Sequence, residues 1–166
     1  KYLEEINFNK AFSSSMDRPY ETAQIILQNK SDLEITKIEK LVEISHGLWE
    51  GKLENEIKKQ WPELLKNWHE KPEEVIMPEG ESIKEVSERS IKAWEEICSN
   101  QKDKDLTLLV AHDAVNKTLI CNLLGIDFSN IWMIKQGNGG ITIIDIFNDP
   151  QKDNVISALN ITTHLG

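Results

Sequence analysis

The stretch Leu106-Thr107-Leu108-Leu109-Val110-Ala111-His112-Asp113 decides the fold. Apart from Thr107 its first six residues are apolar, as in a strand buried on both faces of a parallel sheet. The strand ends at His112-Asp113, and a helix follows at once. Ala114, Val115, Leu119, Ile120 or Cys121, and Leu123 carry that helix to Gly125, a suitable C-terminal stop. Upstream, Asn9 to Ser15 reads as a short strand entering a serine-rich turn. Asp17 to Gln28 then places Ala23, Ile26 and Leu27 on one helical face, with Pro19 in the first turn and Asp17 or Ser15 as N-cap. Glu34 to Ile44 reads as a strand leading into the glycine-bracketed turn Glu43 to Gly51. Leu53 to Trp68 follows at helical spacing, kinked or restarted at Pro62. Ser82-Ile-Lys-Glu85 is a capping box opening a helix to about Asn100. A glycine-rich loop, Lys135 to Gly140, enters a strand over Ile141 to Phe147, and Val155 to Leu159 and Asn160 to Gly166 close the chain. Strands alternating with amphipathic helices predict an α/β fold with helices on both faces of a mostly parallel sheet.

Length and composition bound the rest. The 166 residues suit one domain with its own core, and 39% hydrophobic content argues against disorder. Acidic residues outnumber basic ones by 28 to 19, and Arg18 and Arg89 are the two arginines. A chain with a net charge of −9 and no basic face is set apart from nucleic acids and anionic membranes. Its longest apolar run falls far short of the roughly 20 residues that span a bilayer. Cys98 and Cys121 lie in helical patterns without Cys-x-x-Cys spacing, so neither a disulfide framework nor a zinc site is expected. The expected compartment is reducing and cytoplasmic.

Arg18 and His112 both fall just past strand ends and beside helix N-termini, where α/β sheets bind ligands. A helix N-terminus stabilises an anion by its free N–H groups, and an arginine adds a planar fork for two phosphate oxygens. His112 supplies a donor or a second positive charge. Glu43, before a glycine-containing turn, can give a proton to a leaving oxygen. Together these side chains suggest phosphoryl transfer. His46 follows Glu43 closely enough to line the pocket mouth, and Gln136 and Asn138 lie in a loop that can approach the phosphate. For Glu81 and Ser82 the capping box is a sufficient explanation. His69 reads as a surface residue and His164 as structural or exposed.

Four motifs then stand in matching order: Phe12-Ser-Ser-Ser-Met-Asp-Arg18-Pro-Tyr-Glu-Thr-Ala23, Leu41-Val-Glu43-Ile-Ser-His46-Gly-Leu-Trp-Glu-Gly51, Pro78-Glu-Gly-Glu-Ser82, and Val110-Ala-His112-Asp113-Ala-Val-Asn116. They resemble the histidine phosphatase (phosphoglycerate mutase-like) superfamily over essentially the whole chain. The C-terminal details look most like the second domain of cyanobacterial tandem-domain members. The resemblance implies a three-layer α/β/α sandwich around a mostly parallel mixed sheet, and catalysis through a phosphohistidine without metal or cofactor. It implies Arg18 and His112 as phosphate ligands, Glu43 as general acid and then base, and a small phosphate ester, a sugar or ribazole phosphate among them, as substrate. Asp113, Gln136 and His46 are the further candidates for substrate or phosphate contact.

One departure stands out. The family's nucleophile lies in an Arg-His-Gly motif on its first strand, and no Arg-His-Gly occurs in these 166 residues. The chain is therefore read as one N-terminally incomplete domain over residues 1–166, lacking its first strand and expected to be inactive alone. Loss of a central strand would expose ladder groups on both of its neighbours. Asp113 and Lys117 also depart from the Gly and Arg that many members carry there. A mutase, and a non-catalytic phosphate-binding scaffold, stand as alternatives to a phosphatase. An upstream domain of the same polypeptide and a homodimer are the protein partners left open.

Overall fold

The computed structural model describes residues 2–30, 32–147, 149 and 151–166. Three parallel strands form its main sheet: β1 (Lys10–Ser14) lies in the centre, between β2 (Ile35–Ile38) and β3 (Thr107–Val110). Between β1 and β2 runs α1 (Asp17–Ile26). Between β2 and β3 come α2 (Glu54–Gln60), α3 (Pro62–Glu70) and the long α4 (Ile83–Ser99). After β3, α5 (Asp113–Leu124) begins one residue beyond His112. An antiparallel pair, β4 (Ile141–Asp145) and β5 (Val155–Ile161), makes a second sheet. Among the described residues no ladder joins β4 or β5 to the main sheet, and β3 pairs with β1 alone.

Local chemistry accounts for most boundaries. Pro62 ends one helix and starts the next as the first residue of α3, where its missing N–H costs nothing. The Ser82 hydroxyl accepts the Glu85 N–H while the Glu85 carboxylate accepts the Ser82 N–H, closing the capping box of α4. Gly125 stops α5 at φ +62°, a conformation that costs glycine little. At α1 the N-cap is Met16, not Asp17 or Ser15, and the Ser14 hydroxyl receives the Met16 N–H.

Two strand expectations are corrected. The segment expected to be a strand to Ile44 is extended only through Ile38, because Glu39–Leu41 turns as a short 3-10 helix that buries Leu41. The strand expected to be buried on both faces is only partly covered: Leu108 is buried and Leu106 is 53% exposed. As an outer member of the three-stranded sheet, it has a strand neighbour on one side only among the described residues.

The main core lies between α4, α5 and the Glu39–Trp49 segment. Leu41, Met77, Ile83, Val86, Val115, Ile120 and Ile131 are among its fully buried members. No described helix is long and apolar enough to cross a membrane.

Candidate active site

Parallel strands bring the serine turn that precedes Arg18 and the candidate His112 to one end of the sheet. The register aligns Ser13 of β1 with Val110 of β3, so the serine turn and His112 emerge side by side. There the Ser14 hydroxyl meets His112 Nε2 at 2.9 Å, and both residues are buried. Burial, reinforced by the positive charges of Arg18 and then Arg89, lowers the His112 pKa to about 4. The imidazole is therefore neutral at neutral pH and able to take a proton when an anion arrives.

Arg18 occupies the first turn of α1 and is exposed. Its guanidinium makes no hydrogen bond or ion pair with any described residue, so its fork is open to an external anion. Its charge bears on His112.

Glu43 follows the 3-10 turn and sits beside the N-terminus of α5. Burial raises its carboxyl pKa; the Ile44 N–H opposes this, the Asp113 charge adds to it, and the Ala114 N–H and His46 oppose it. One carboxylate oxygen accepts the Ile44 N–H at 3.0 Å. A carboxyl held towards its protonated form beside the N-terminus of the helix that follows His112 can give up a proton to a neighbouring oxygen.

The other candidates separate. His46 borders Glu43 electrostatically and packs edge-on against Trp68, with ring centroids 6.1 Å apart. Trp68 in turn meets Trp132 at 5.0 Å, and the Trp68 carbonyl accepts the Trp132 indole N–H. Lys117 reaches over the Trp132 ring and pairs with Asp113 at 2.9 Å. These contacts run from Glu43 through His46, Trp68, Trp132 and Lys117 to Asp113, whose charge again bears on Glu43. Asp113 thus contributes an anion compensated by Lys117, one turn further along α5. The Gln136 amide donates to the Thr142 hydroxyl at the start of β4. His164 bonds the Gly139 carbonyl and stacks on Tyr2, away from this group. Glu81 does more than precede a capping residue, because it forms a two-point pair with Arg89.

The comparisons with known proteins agree with this architecture. The histidine phosphatase superfamily (branch 1) profile matches residues 1–160. The chain belongs to that superfamily. Phosphoserine phosphatase 1 of Hydrogenobacter thermophilus is 34% identical over 155 residues, covering 93% of this chain and 71% of the relative. The 2-carboxy-D-arabinitol-1-phosphatase of Triticum aestivum is 27% identical over 144 residues, or 87% of this chain, but the match spans only 28% of that longer protein. Among solved structures, Bacillus stearothermophilus YhfR superposes with a TM-score of 0.91 at 24% identity, covering 99% of this chain and 80% of that one. That likeness shows the phosphoglycerate mutase-like α/β fold. The superfamily is one of enzymes, and both named relatives are phosphatases.

Sequence reasoning passed over Ser14 and Arg89. Ser14 was hidden among three consecutive serines. Arg89 lies seven residues after Ser82, on the α4 face that also carries Val86, and that spacing was the available signal.

Proposed function

We propose that this domain hydrolyses phosphomonoesters of small polar alcohols by way of a phosphohistidine, with phosphoserine as the first candidate substrate. The observation that carries the reading is a neutral, buried His112 under the charge of an Arg18 whose guanidinium has no partner among the described residues, with a protonation-prone Glu43 beside the N-terminus of the helix that follows His112. Arg18 grips the phosphoryl oxygens. His112, hydrogen-bonded to Ser14, donates to the same group and takes up a proton as charge accumulates there. Glu43 protonates the leaving alcohol, and its carboxylate then draws a proton from the water that attacks the phosphohistidine.

The nucleophile in this scheme is a histidine contributed from outside these 166 residues, in the Arg-His-Gly motif that the resemblance implies. Two observations favour that arrangement. The β3 edge away from β1 and the β4 edge away from β5 carry no ladder among the described residues, and the relatives matched are longer than this chain. Phosphoserine is preferred because the 34% identical relative is named for it. Sugar and ribazole phosphates complete the panel.

The test is phosphate release from phosphoserine, a sugar phosphate, ribazole phosphate and p-nitrophenyl phosphate by the longest native form, run beside the 166-residue chain. Turnover by the longer form alone is expected. Turnover by neither, with phosphate still raising the melting temperature, would favour a binding scaffold. Transfer of the phosphoryl group to a second substrate hydroxyl, seen by phosphorus NMR, would favour a mutase.

A further inference from the structure

Arg89 spends all of its donors on one short stretch of chain and one carboxylate. Its Nε and one terminal nitrogen pair with the two Glu81 oxygens at 2.8 and 2.9 Å. The other terminal nitrogen donates to the Lys40 and Val42 carbonyls at 2.9 and 2.6 Å, and the first reaches the Glu43 carbonyl at 3.2 Å. Glu81 completes the brace from the far side. Its Oε2 accepts the Ser45 N–H at 3.0 Å, and its own N–H donates to the Ser45 carbonyl at 2.8 Å. The backbone on either side of Glu43 is therefore tied to α4 and to the Pro78–Ser82 loop. The two loops approach so closely that a Cβ on Gly47 would lie 2.1 Å from the Pro78 carbonyl oxygen, and one on Gly80 2.5 Å from that of Ser45. Arg89 and Glu81 are themselves largely covered, with side chains 18% and 26% exposed. A planar five-donor fork is the only side chain that can bond three carbonyls and a carboxylate at once.

We propose that Arg89, backed by Glu81, is a positioning residue that fixes the main chain of Glu43 and so aims its proton-donating carboxyl at the leaving oxygen. The inference rests on the general-acid reading of Glu43 and adds the device that sets its geometry. Arg89 touches no substrate in this arrangement. Its charge does bear on His112, so a substitution that keeps the charge and removes the fork isolates the positioning role.

The experiment uses Arg89→Lys and Glu81→Gln in the longest native form, with kcat/KM measured on phosphoserine and on p-nitrophenyl phosphate. An alkoxide leaves only with a proton, whereas p-nitrophenolate is stable without one, so loss of a well-aimed acid selectively slows the alkyl ester. Arg89→Lys is expected to lower kcat/KM for phosphoserine about 10²-fold, the cost of roughly an ångström of misplacement, while p-nitrophenyl phosphate changes far less. The alkaline limb of the phosphoserine profile is expected to move to lower pH, as a Glu43 carboxyl freed from its burial returns towards its ordinary value. Glu81→Gln, which cannot accept the Ser45 N–H on its amide nitrogen, is expected to shift the substrate ratio in the same direction by a smaller factor. An unchanged ratio in a folded Arg89→Lys protein, or equal losses on both substrates, overturns the proposal. Should Arg89→Lys fail to fold, the Glu81→Gln ratio decides on the same terms. Glu43→Gln is the reference: an unchanged ratio there removes the general-acid reading itself, a result separate from failure of the brace.

Discussion

The strand-end site and the β4–β5 hairpin are built in opposite ways. At the site, residues distant in sequence are tied by specific polar contacts. Ser14 meets His112 across 98 residues, and Arg89 reaches the Lys40, Val42 and Glu43 carbonyls from 46 to 49 residues away. The hairpin is held by its own local ladder, whose register shifts twice, and meets the main core through Ile144 and Ile156. Its outer face leaves Ile143, Val155 and Leu159 each more than 40% exposed. The difference teaches where precision is invested: long-range hydrogen bonds aim chemical groups, whereas the hairpin contributes apolar cover that tolerates change.

The largest effect that would sharpen this contrast lies at Glu43. Glu43→Gln is expected to lower kcat/KM on phosphoserine by about 10² to 10⁴-fold, the range of a positioned general acid. A loss below tenfold would break the contrast, because the site's polar geometry would then matter little. Next comes Leu41, wholly buried in the turn that leads to Glu43. Leu41→Ala is expected to cost about 2–5 kcal/mol in denaturant unfolding.

A third effect is read in pH. The folded pKa of His112 lies below its unfolded value, so the native state binds fewer protons there. Stability from this group is complete above the ordinary imidazole value of about 6.5 and is lost as pH falls towards about 4. Glu43 acts in the other sense: its raised pKa favours the native state at low pH, and that contribution is lost as pH rises through the raised value. The melting temperature is expected to drop on acidification across the His112 window, and His112→Asn to flatten the upper part of that drop. An unaltered slope would show that His112 titrates normally. The smallest effect belongs to the hairpin, where Leu159→Ser is expected to change stability by less than about 0.5 kcal/mol. A cost comparable to that of Leu41→Ala would mean that the face is covered in the native protein.

Much of the fold could be read because single residues fixed the boundaries. Pro62 divided two helices, Ser82 and Glu85 opened α4, and Gly125 closed α5, each through contacts a few residues long. Arg18, Glu43, His46 and His112 could be named because they stand in recognisable motifs; in the structure the Arg18 charge bears on His112 and the His46 charge on Glu43. Gln136 was named from a glycine loop, which does not reveal which way its side chains turn, and here its amide donates to the Thr142 hydroxyl. Arg89 was opaque for a different reason, since three of its partners are main-chain carbonyls that leave no trace in side-chain identity and the fourth, Glu81, already had a sufficient explanation beside the capping box. The length of β2 was misjudged because apolar spacing over Glu34 to Ile44 fits a strand and a short 3-10 turn equally well.

The central claim is a phosphohistidine, and chemical quench tests it most directly. The longest native form is mixed with ³²P-phosphoserine and stopped within milliseconds in acid or in alkali. A protein-bound label that survives alkali and is lost in acid is the predicted result. No label under turnover, or a label destroyed by alkali as an acyl phosphate would be, contradicts the account.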